Sequence, residues 1–222
     1  MLERCVPDLA EYQSTAYARE YAGKVMHVAE VERERTGVDA TPVAVAYAHG
    51  LHKLMAYKDE YEVARLYLDQ AERARITQEF GPGAKVRVLL HPPLLRTLGV
   101  DHKLRLGPWI FPAFRALRGM RRVRGTAVDP FGKTRMRRLE RALVAEYDGL
   151  VVDALELLGP DTAGDVLAIA ELPDLVRGYE DVKVLSVERF REQAADLLLQ
   201  LGVTDLVSLA AGEREPAVAR AS

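Results

Sequence analysis

The stretch KLMAYKDEYEVARLYLD, residues 53–69, decides the fold that the sequence predicts. Together with the residues just before it, this stretch places an apolar or aromatic side chain at every third or fourth position, the period of one helix face. These positions are Tyr47, Leu51, Leu54, Tyr57, Tyr61, Ala64 and Leu68. Burying each large member is worth roughly 1.5–3 kcal/mol, whereas a surface charge pair contributes about 0.3–0.5 kcal/mol. The stripe therefore predicts a buried helix face in a mainly α-helical protein.

Charged residues are dense on the other faces of the same stretch. Arg65 lies four residues before Asp69, which is the spacing of an ion pair within a helix. A solvated face is the ordinary interpretation of such charges. The other interpretation is a face that makes contacts in an assembly. Its members would be Tyr57, Lys58, Asp59, Glu60, Tyr61 and Arg65.

Composition predicts one globular unit. The chain has 222 residues, of which 49% are hydrophobic and 29% are charged, enough for one sizeable core. We expect a single helical domain over residues 1–201 and a disordered, small and polar tail over 202–222. No apolar run of about 18 residues is present to span a membrane, and the first ten residues, MLERCVPDLA, lack the apolar centre of a signal peptide. We therefore expect a cytoplasmic protein.

The net charge of −2 hides a strong asymmetry along the chain. Residues 85–141 contain 15 basic and three acidic residues, whereas the remainder contains 16 basic and 30 acidic residues. The basic segment either packs on the acidic remainder or binds an external ligand, which would be an acidic partner protein, another anion or nucleic acid. The residues that we expect at such a contact are Arg115, Arg118, Arg121, Arg122 and Arg124.

Helical spacing and turn residues predict about five to seven helices. The first runs from Pro7 and Asp8 to about Arg35, and Thr41 before Pro42 predicts the N-cap of the next. That second helical segment extends towards Phe80 with a break near Asp69. Later helices are expected over 108–117, 134–158, 161–171 and 182–201. Trp109, the single tryptophan, is expected in the core.

One small antiparallel β-hairpin is expected near residues 85–106. KVRVLL, residues 85–90, and KLRL, residues 103–106, alternate charged and apolar residues, which is typical of half-buried strands. Residues 91–102 would form the long connection. Because an isolated two-stranded hairpin is marginal, we expect it to lie against the helices.

Candidate metal ligands and nucleophiles do not combine into a site. His49 and His52 lie three apart on a predicted helix, but no third zinc ligand follows at a known spacing. Cys5 is the only cysteine, so it cannot form an internal disulfide or supply the roughly four thiolates of an iron–sulfur cluster. We therefore assign no catalytic, cofactor-binding or metal-binding residue from these types.

Two further patterns have structural interpretations. Gly81-Pro82-Gly83 follows a helix and precedes a strand, the reverse of the order in which a glycine loop binds phosphate, so it predicts a turn. Asp59, Glu60 and Glu62 are close in sequence, but adjacent helix positions diverge and a desolvated acid–base pair is not indicated. Solvated carboxylates are the simpler interpretation.

Four blocks of the sequence, in the same order, resemble one known domain. They are KLMAYKDEYEVARLYLD (53–69), GPWIFPAFRALRGMRRVRGTAVDPFG (107–132), RRLERALVAEY (137–147) and ELPDLVRGYEDVK (171–183). Over about residues 9–201 the chain is similar to the C-terminal domain of the long, fused indolepyruvate ferredoxin oxidoreductases, bacterial 2-oxoacid:ferredoxin oxidoreductases.

This resemblance implies an accessory domain without catalytic residues. In that family, thiamin diphosphate and iron–sulfur clusters are held by earlier modules, whose Gly-Asp-Gly and clustered cysteine motifs do not occur in this sequence. The implied partners are those cofactor-carrying domains and, through the arginines, an acidic carrier such as ferredoxin. The resemblance also implies a longer polypeptide, so we expect a split-gene product, a remnant or an excised domain. The alternative is a basic protein that binds an anion or nucleic acid.

Overall fold

The structure is a computed structural model that describes residues 1–81, 88–90 and 104–203. The prediction of a mainly α-helical protein is confirmed. The described residues form nine α-helices and three short 3-10 helices, together with two short strands.

The α-helices are numbered here in chain order. Their bounds are α1 Leu2–Tyr12, α2 Thr15–Thr36, α3 Pro42–Met55, α4 Glu60–Tyr67, α5 Gln70–Phe80, α6 Phe111–Gly119, α7 Arg135–Glu156, α8 Ala163–Glu171 and α9 Glu180–Gln200. The 3-10 helices are Pro108–Ile110, Met120–Val123 and Leu172–Leu175. No helix among the described residues is both long and apolar enough to cross a membrane.

The predicted number of five to seven helices is too low, because short polar side chains start new helices inside the predicted long ones. Ser14 accepts a hydrogen bond from Tyr17 N at 3.2 Å and so begins α2. Asp59 accepts from Glu62 N at 2.8 Å and begins α4, and Asp69 accepts from Ala71 N at 2.9 Å and begins α5. These N-caps satisfy amide groups that a continuous helix would not leave open.

The apolar stripe that led to the helical prediction is buried, although it is divided between α3, α4 and the residues that follow each of them. Every one of its seven members is at most 8% exposed. The chain leaves helical geometry between Met55 and Glu60, where Asp59 caps the following helix. Burial was therefore predicted correctly from spacing, whereas the continuity of the helix was not.

Two strands of three residues are present in the region of the expected hairpin. Val88–Leu90 (β1) pairs antiparallel with Leu104–Leu106 (β2), with Val88 opposite Leu106 and Leu90 opposite Leu104. The connection over 91–102 and the outer part of the predicted first strand lie outside the described residues. So do most of the tail predicted over 202–222 and two residues of the Gly81-Pro82-Gly83 turn.

Contacts group the chain into two compact units. Unit 1 combines residues 1–56 with the chain from 134 onwards, and unit 2 comprises residues 57–133. Unit 2 is thus an insertion in the sequence of unit 1. A single domain over residues 1–201 stays a prediction, because grouping by contacts does not measure whether the units unfold together.

The core of unit 1 is rich in tyrosines whose hydroxyls have partners inside the protein. Tyr47 and Tyr147 stack with ring centroids 5.6 Å apart. Tyr147 donates a hydrogen bond to Ala170 O at 2.7 Å, and Tyr47 donates to Asp148 Oδ1 at 2.5 Å. Asp148 is also bound by Lys24. These bonds offset the cost of burying hydroxyl groups among α2, α3, α7 and α8.

Unit 2 has a small core between α4 and α6. Ala64 and Phe114 are buried there, and Tyr67 stacks on Phe114 with ring centroids 5.5 Å apart. The guanidinium of Arg73 lies over the Phe111 ring at 4.8 Å. This packing holds α6, which carries two of the five predicted contact arginines, against the helix that begins at Glu60.

Candidate functional site

Three of the five predicted contact arginines lie on the surface of unit 2. Arg115 and Arg118 are on α6, and Arg122 follows in the 3-10 helix Met120–Val123. All three are exposed. They recur at three- and four-residue spacing, which places them along one edge of this helical segment. None forms an ion pair with a carboxylate of the described chain.

Arg121 differs from these three because it is half-buried. Its Nη1 donates a hydrogen bond to Arg118 O at 3.3 Å. Its Nε is buried and has no hydrogen-bond partner. A buried donor without an acceptor costs roughly 1–3 kcal/mol. Arg121 therefore presents less of its guanidinium to the surface than its three exposed neighbours do.

Arg124 belongs to the interior, so it is removed from the predicted surface contact. It is 4% exposed and binds Asp59 through two hydrogen bonds, Nε to Oδ2 at 2.5 Å and Nη2 to Oδ1 at 2.8 Å. Its guanidinium also lies 5.3 Å from the ring centroid of Tyr61. Buried bidentate pairs of this kind leave no charge for an external ligand.

The Asp59–Arg124 pair continues into a second buried carboxylate. Tyr61 donates a hydrogen bond to Asp129 Oδ1 at 2.9 Å, and its ring meets Phe131 edge-on at 5.3 Å. Asp59, Tyr61, Arg124 and Asp129 are each at most 4% exposed. We call these four residues the buried network. It joins the sequence block at 53–69 to the block at 107–132.

The protein stabilises Asp129 as an anion. Burial raises the pKa of its carboxyl, but hydrogen bonds from Gly125 N, the Tyr61 hydroxyl and Phe131 N outweigh burial and leave the pKa below its usual range. The Tyr61 pKa is raised, first by burial and then by its bond to Asp129. Tyr61 therefore stays a neutral donor to an ionised Asp129.

The predicted assembly face is divided between interior and surface. Tyr57, Asp59 and Tyr61 are buried, Glu60 and Arg65 are half-buried, and Lys58 is exposed. Arg65 does not pair with Asp69, as the spacing suggested, but binds Glu62 through Nε and Nη2, each at 2.8 Å. Most of this face therefore stabilises unit 2 itself.

Trp109 is not a core residue. It lies in the 3-10 helix Pro108–Ile110 and is 68% exposed. The prediction failed because Phe114, five residues later, fills the core position of this segment instead. Spacing shows which residues share a face, but it does not show which of two apolar faces is covered.

A surface cleft of about 480 Å³ lies at α1 and α3 in unit 1, lined by Arg4, Pro7, Asp8, Glu11 and His52. His52 Nε2 lies 3.0 Å from Asp8 Oδ2, a contact that sequence spacing did not indicate. Cys5 is 1% exposed, so its thiol does not reach solvent.

Among the described residues, no group of three or more histidine, cysteine, aspartate or glutamate side chains could hold a metal ion. His49 is exposed, whereas His52 pairs with Asp8. Asp59, Glu60 and Glu62 also do not converge on one site, because Asp59 binds Arg124 and Glu62 binds Arg65.

Comparison with known proteins identifies a family. Residues 1–196 match the model of a family described as a family of unknown function, DUF6537. No curated protein and no solved structure matches the chain.

Proposed function

We propose that this chain, which belongs to the DUF6537 family of unknown function, is an accessory, non-catalytic module of an indolepyruvate-type 2-oxoacid:ferredoxin oxidoreductase. The observation that carries this proposal is the buried network. Two of the four blocks behind the resemblance meet in side chains that bind one another: Asp59 with Arg124, and Tyr61 with Asp129. Residues that are buried and paired in this way stabilise the fold and cannot contact a substrate.

The proposed role is assembly or carrier docking in the cytoplasm. Thiamin diphosphate and iron–sulfur clusters would be bound by partner domains, and oxidative decarboxylation would take place there. Arg115, Arg118, Arg121 and Arg122 would contact an acidic surface, either on those domains or on ferredoxin. Exposed arginines that form no ion pair within the described part of the chain support this role, since such charge steers an oppositely charged partner towards the surface that carries it.

The proposal is tested by association with the partner polypeptide. The full chain, carrying an affinity tag, is expressed together with a polypeptide that contains the thiamin diphosphate and iron–sulfur domains. We expect the two to purify together and the chain to increase 2-oxoacid-dependent ferredoxin reduction. Separate elution, with no effect of the chain on that rate, would overturn the proposal.

The arginine contact is tested by charge reversal in the same assay. Replacing Arg115, Arg118 and Arg122 together by Glu should weaken association by about tenfold or more, because charge complementarity mainly sets the rate of encounter.

The matched control reverses three exposed arginines of unit 1, Arg19, Arg138 and Arg189, and so changes the net charge equally. If the control variant loses as much association as the α6 variant, overall charge is responsible and the α6 surface has no special role.

Nucleic-acid binding is the second candidate, and the same exposed arginines favour it. Electrostatic binding to phosphates would weaken steeply with added salt. A gel-shift assay with the full chain and mixed-sequence DNA and RNA distinguishes the candidates. Tight, salt-sensitive binding that the Arg115, Arg118 and Arg122 reversal abolishes would favour nucleic acid over the oxidoreductase partner.

A further inference from the structure

The outer side of α9 carries six residues in the repeat of a helix that pairs with another helix. They follow one another at alternating spacings of three and four residues, as the seam residues of a coiled coil do. All six are exposed, so they lie along the side of α9 that faces away from the unit 1 core. We call them the α9 ridge: Val182, Leu185, Arg189, Glu192, Asp196 and Leu199.

The opposite side of α9 packs in unit 1. Val187, Phe190, Ala194 and Leu198 are at most 7% exposed and belong to the unit 1 core. At 3.6 residues per turn, the middle of the α9 ridge lies about half a turn around the helix from these four residues. The helix therefore has one face that the core covers and a second, patterned face that points outward.

The two ends of the α9 ridge are apolar. Val182 is 62% exposed, Leu185 is 55% exposed and Leu199 is 51% exposed. The outward face of a helix on a globular protein is normally polar, and large apolar side chains grouped there indicate a contact surface. The charged residues between the two ends indicate what makes that contact.

The order of residues on the α9 ridge is complementary to its own reverse. When two copies of α9 are placed antiparallel about the midpoint between residues 190 and 191, Val182 of each copy lies opposite Leu199 of the other. Arg189 of each copy then lies opposite Glu192 of the other. Both charged side chains are exposed and form no ion pair within the described part of the chain. The pairing gives two apolar layers and two ion-pair layers, related by the two-fold axis of a closed dimer.

Other arrangements of two α9 helices lose this complementarity. A parallel pair in register would place Arg189 against Arg189, Glu192 against Glu192 and Asp196 against Asp196, and like charges in contact are unfavourable. An antiparallel pair shifted by seven residues in either direction would place charged residues opposite apolar ones. Charge thus selects one orientation and one register.

One layer of the antiparallel pair is mismatched, because Leu185 of each copy lies opposite Asp196 of the other. A polar residue in the seam of a coiled coil lowers its stability while it limits the possible registers. We therefore expect a weak dimer whose geometry is well defined.

We propose that α9 forms an antiparallel contact with α9 of a second copy of this chain, and that this second copy covers the α9 ridge. The inference goes beyond the proposed function and does not depend on it. The α9 ridge belongs to unit 1, whereas the arginines of the proposed partner contact belong to unit 2.

Cysteine cross-linking in the full chain tests the orientation and the register. Residue 182 of one copy would lie beside residue 199 of the other, within reach of a disulfide. Two copies of residue 182 would lie about 26 Å apart, since 17 residues of helix rise about 1.5 Å each. Val182→Cys protein mixed with Leu199→Cys protein under oxidising conditions should form a covalent dimer, whereas either variant alone should not. The native Cys5 is 1% exposed and does not compete.

Charge reversal tests the ion-pair layers, with the dimer dissociation constant measured by analytical ultracentrifugation. Glu192→Arg places two arginines opposite each other and should raise the dissociation constant about tenfold or more. Adding Arg189→Glu restores the complementary charges and should return the constant to within about threefold of wild type. The control Glu30→Arg changes an exposed glutamate on α2 and should leave dimerisation unchanged.

A third variant should strengthen the dimer. Asp196→Leu replaces the mismatched layer by an apolar one, so we expect the dissociation constant to fall about tenfold. Circular dichroism during thermal unfolding checks that every variant is folded. The same cysteine pair in the Asp196→Leu background checks that the stronger dimer keeps the antiparallel register.

Several results would overturn the inference. A chain that stays monomeric at about 1 mM, where association becomes very weak, has no such dimer. Cross-linking of Val182→Cys to itself as efficient as its cross-linking to Leu199→Cys would exclude the antiparallel register. A double charge reversal as weak as Glu192→Arg alone would exclude the ion pair. Cross-linking of Leu199→Cys only to the oxidoreductase polypeptide would make that polypeptide the occupant of the ridge.

The dimer and the proposed function can fail separately. If the chain forms this dimer but does not purify with the oxidoreductase polypeptide, the proposed function fails and the α9 contact stands. The unit 1 control of the co-purification assay reverses Arg189 and would therefore be monomeric. Glu192→Arg, which also disrupts the dimer, should purify with the polypeptide as wild type does, since it leaves α6 unchanged.

Discussion

Asp129 accepts backbone hydrogen bonds on both of its carboxylate oxygens, from Phe131 N at 3.0 Å on Oδ1 and from Gly125 N at 2.7 Å on Oδ2. In Asp129→Asn one of these N–H groups must face an amide NH2, which cannot accept. We expect a loss of about 1–3 kcal/mol in the free energy of unfolding at neutral pH, the cost of an unsatisfied buried group. Chemical denaturation measures it, with exposed Asp181→Asn as the control.

The same variant should change how stability depends on pH. Because the folded protein lowers the pKa of Asp129 below its ordinary value of 3.8, the stabilising contribution of the anion is complete above that value. It is lost as the pH falls through the lower pKa of the folded state. The difference in the free energy of unfolding between wild type and Asp129→Asn should therefore be constant above about pH 5 and shrink below about pH 4. A difference that stays constant down to pH 2 would contradict the ionised network.

Two glycines in helices should respond in opposite ways to substitution by alanine. A Cβ at Gly50 would lie 2.6 Å from the Tyr147 hydroxyl oxygen and 2.7 Å from Pro173 Cγ, whereas a Cβ at Gly23 would have nothing within 4 Å. We expect Gly50→Ala to destabilise the protein by about 1–3 kcal/mol through overpacking. Gly23→Ala should stabilise it by about 0.5–1 kcal/mol, since alanine favours helix. Melting temperatures that fall equally for both would contradict the close approach at Gly50.

At the residue scale, the sequence predicts what depends on local period and not what depends on a distant partner. All seven residues of the stripe through Tyr47 and Leu68 are buried, because apolar spacing is a local property. Arg122 and Arg124 are chemically identical and two positions apart, yet one is exposed and the other is buried. The difference is made by Asp59, 65 residues away in sequence, which no local pattern indicates.

The beginning of α3 shows how one helix stabilises another. Thr41 occupies the predicted N-cap position, but its side chain makes no capping hydrogen bond. Glu32 on α2 caps the helix instead, accepting from Val43 N at 2.9 Å on Oε1 and from Ala44 N at 2.8 Å on Oε2. Its negative charge also interacts favourably with the positive N-terminal end of the helix.

We expect Glu32→Ala to destabilise unit 1 by about 1–3 kcal/mol, because two buried amides would lose their acceptors. Glu30→Ala changes an exposed glutamate on the same helix and should have a small effect. Thr41→Ala should also have little effect. If Thr41→Ala lowered the free energy of unfolding as much as Glu32→Ala, the cap of α3 would be Thr41 and not Glu32.

At the element scale, helix positions were predictable and helix ends were less so. Ser14, Asp59 and Asp69 are residues with a strong preference for N-caps, and each divides a region that apolar spacing predicted as one segment. A break near Asp69 was predicted and is confirmed. The breaks at Ser14 and Asp59 were missed, since the apolar stripes continue through them and the stripes dominate the pattern.

At the scale of the whole molecule, the buried network and the exposed arginines divide the blocks of the resemblance between two tasks. Side chains of 53–69 and of 124–131 hold unit 2 together through Asp59, Arg124, Tyr61 and Asp129. Residues 109–122, within the same second block, place Trp109, Arg115, Arg118 and Arg122 on the surface. The candidate partner contact was predictable from its charge, but the interior position of Arg124 was not, because its partner Asp59 is distant in sequence.

Hydrogen–deuterium exchange tests most directly the claim that this protein acts by binding a partner through α6. Exchange is compared for the full chain alone and mixed with the polypeptide that carries the thiamin diphosphate and iron–sulfur domains. The account predicts slower exchange of the amides of residues 111–123 in the mixture, and loss of this protection when Arg115, Arg118 and Arg122 are replaced together by Glu. Unchanged exchange over 111–123, or protection confined to unit 1, would contradict it.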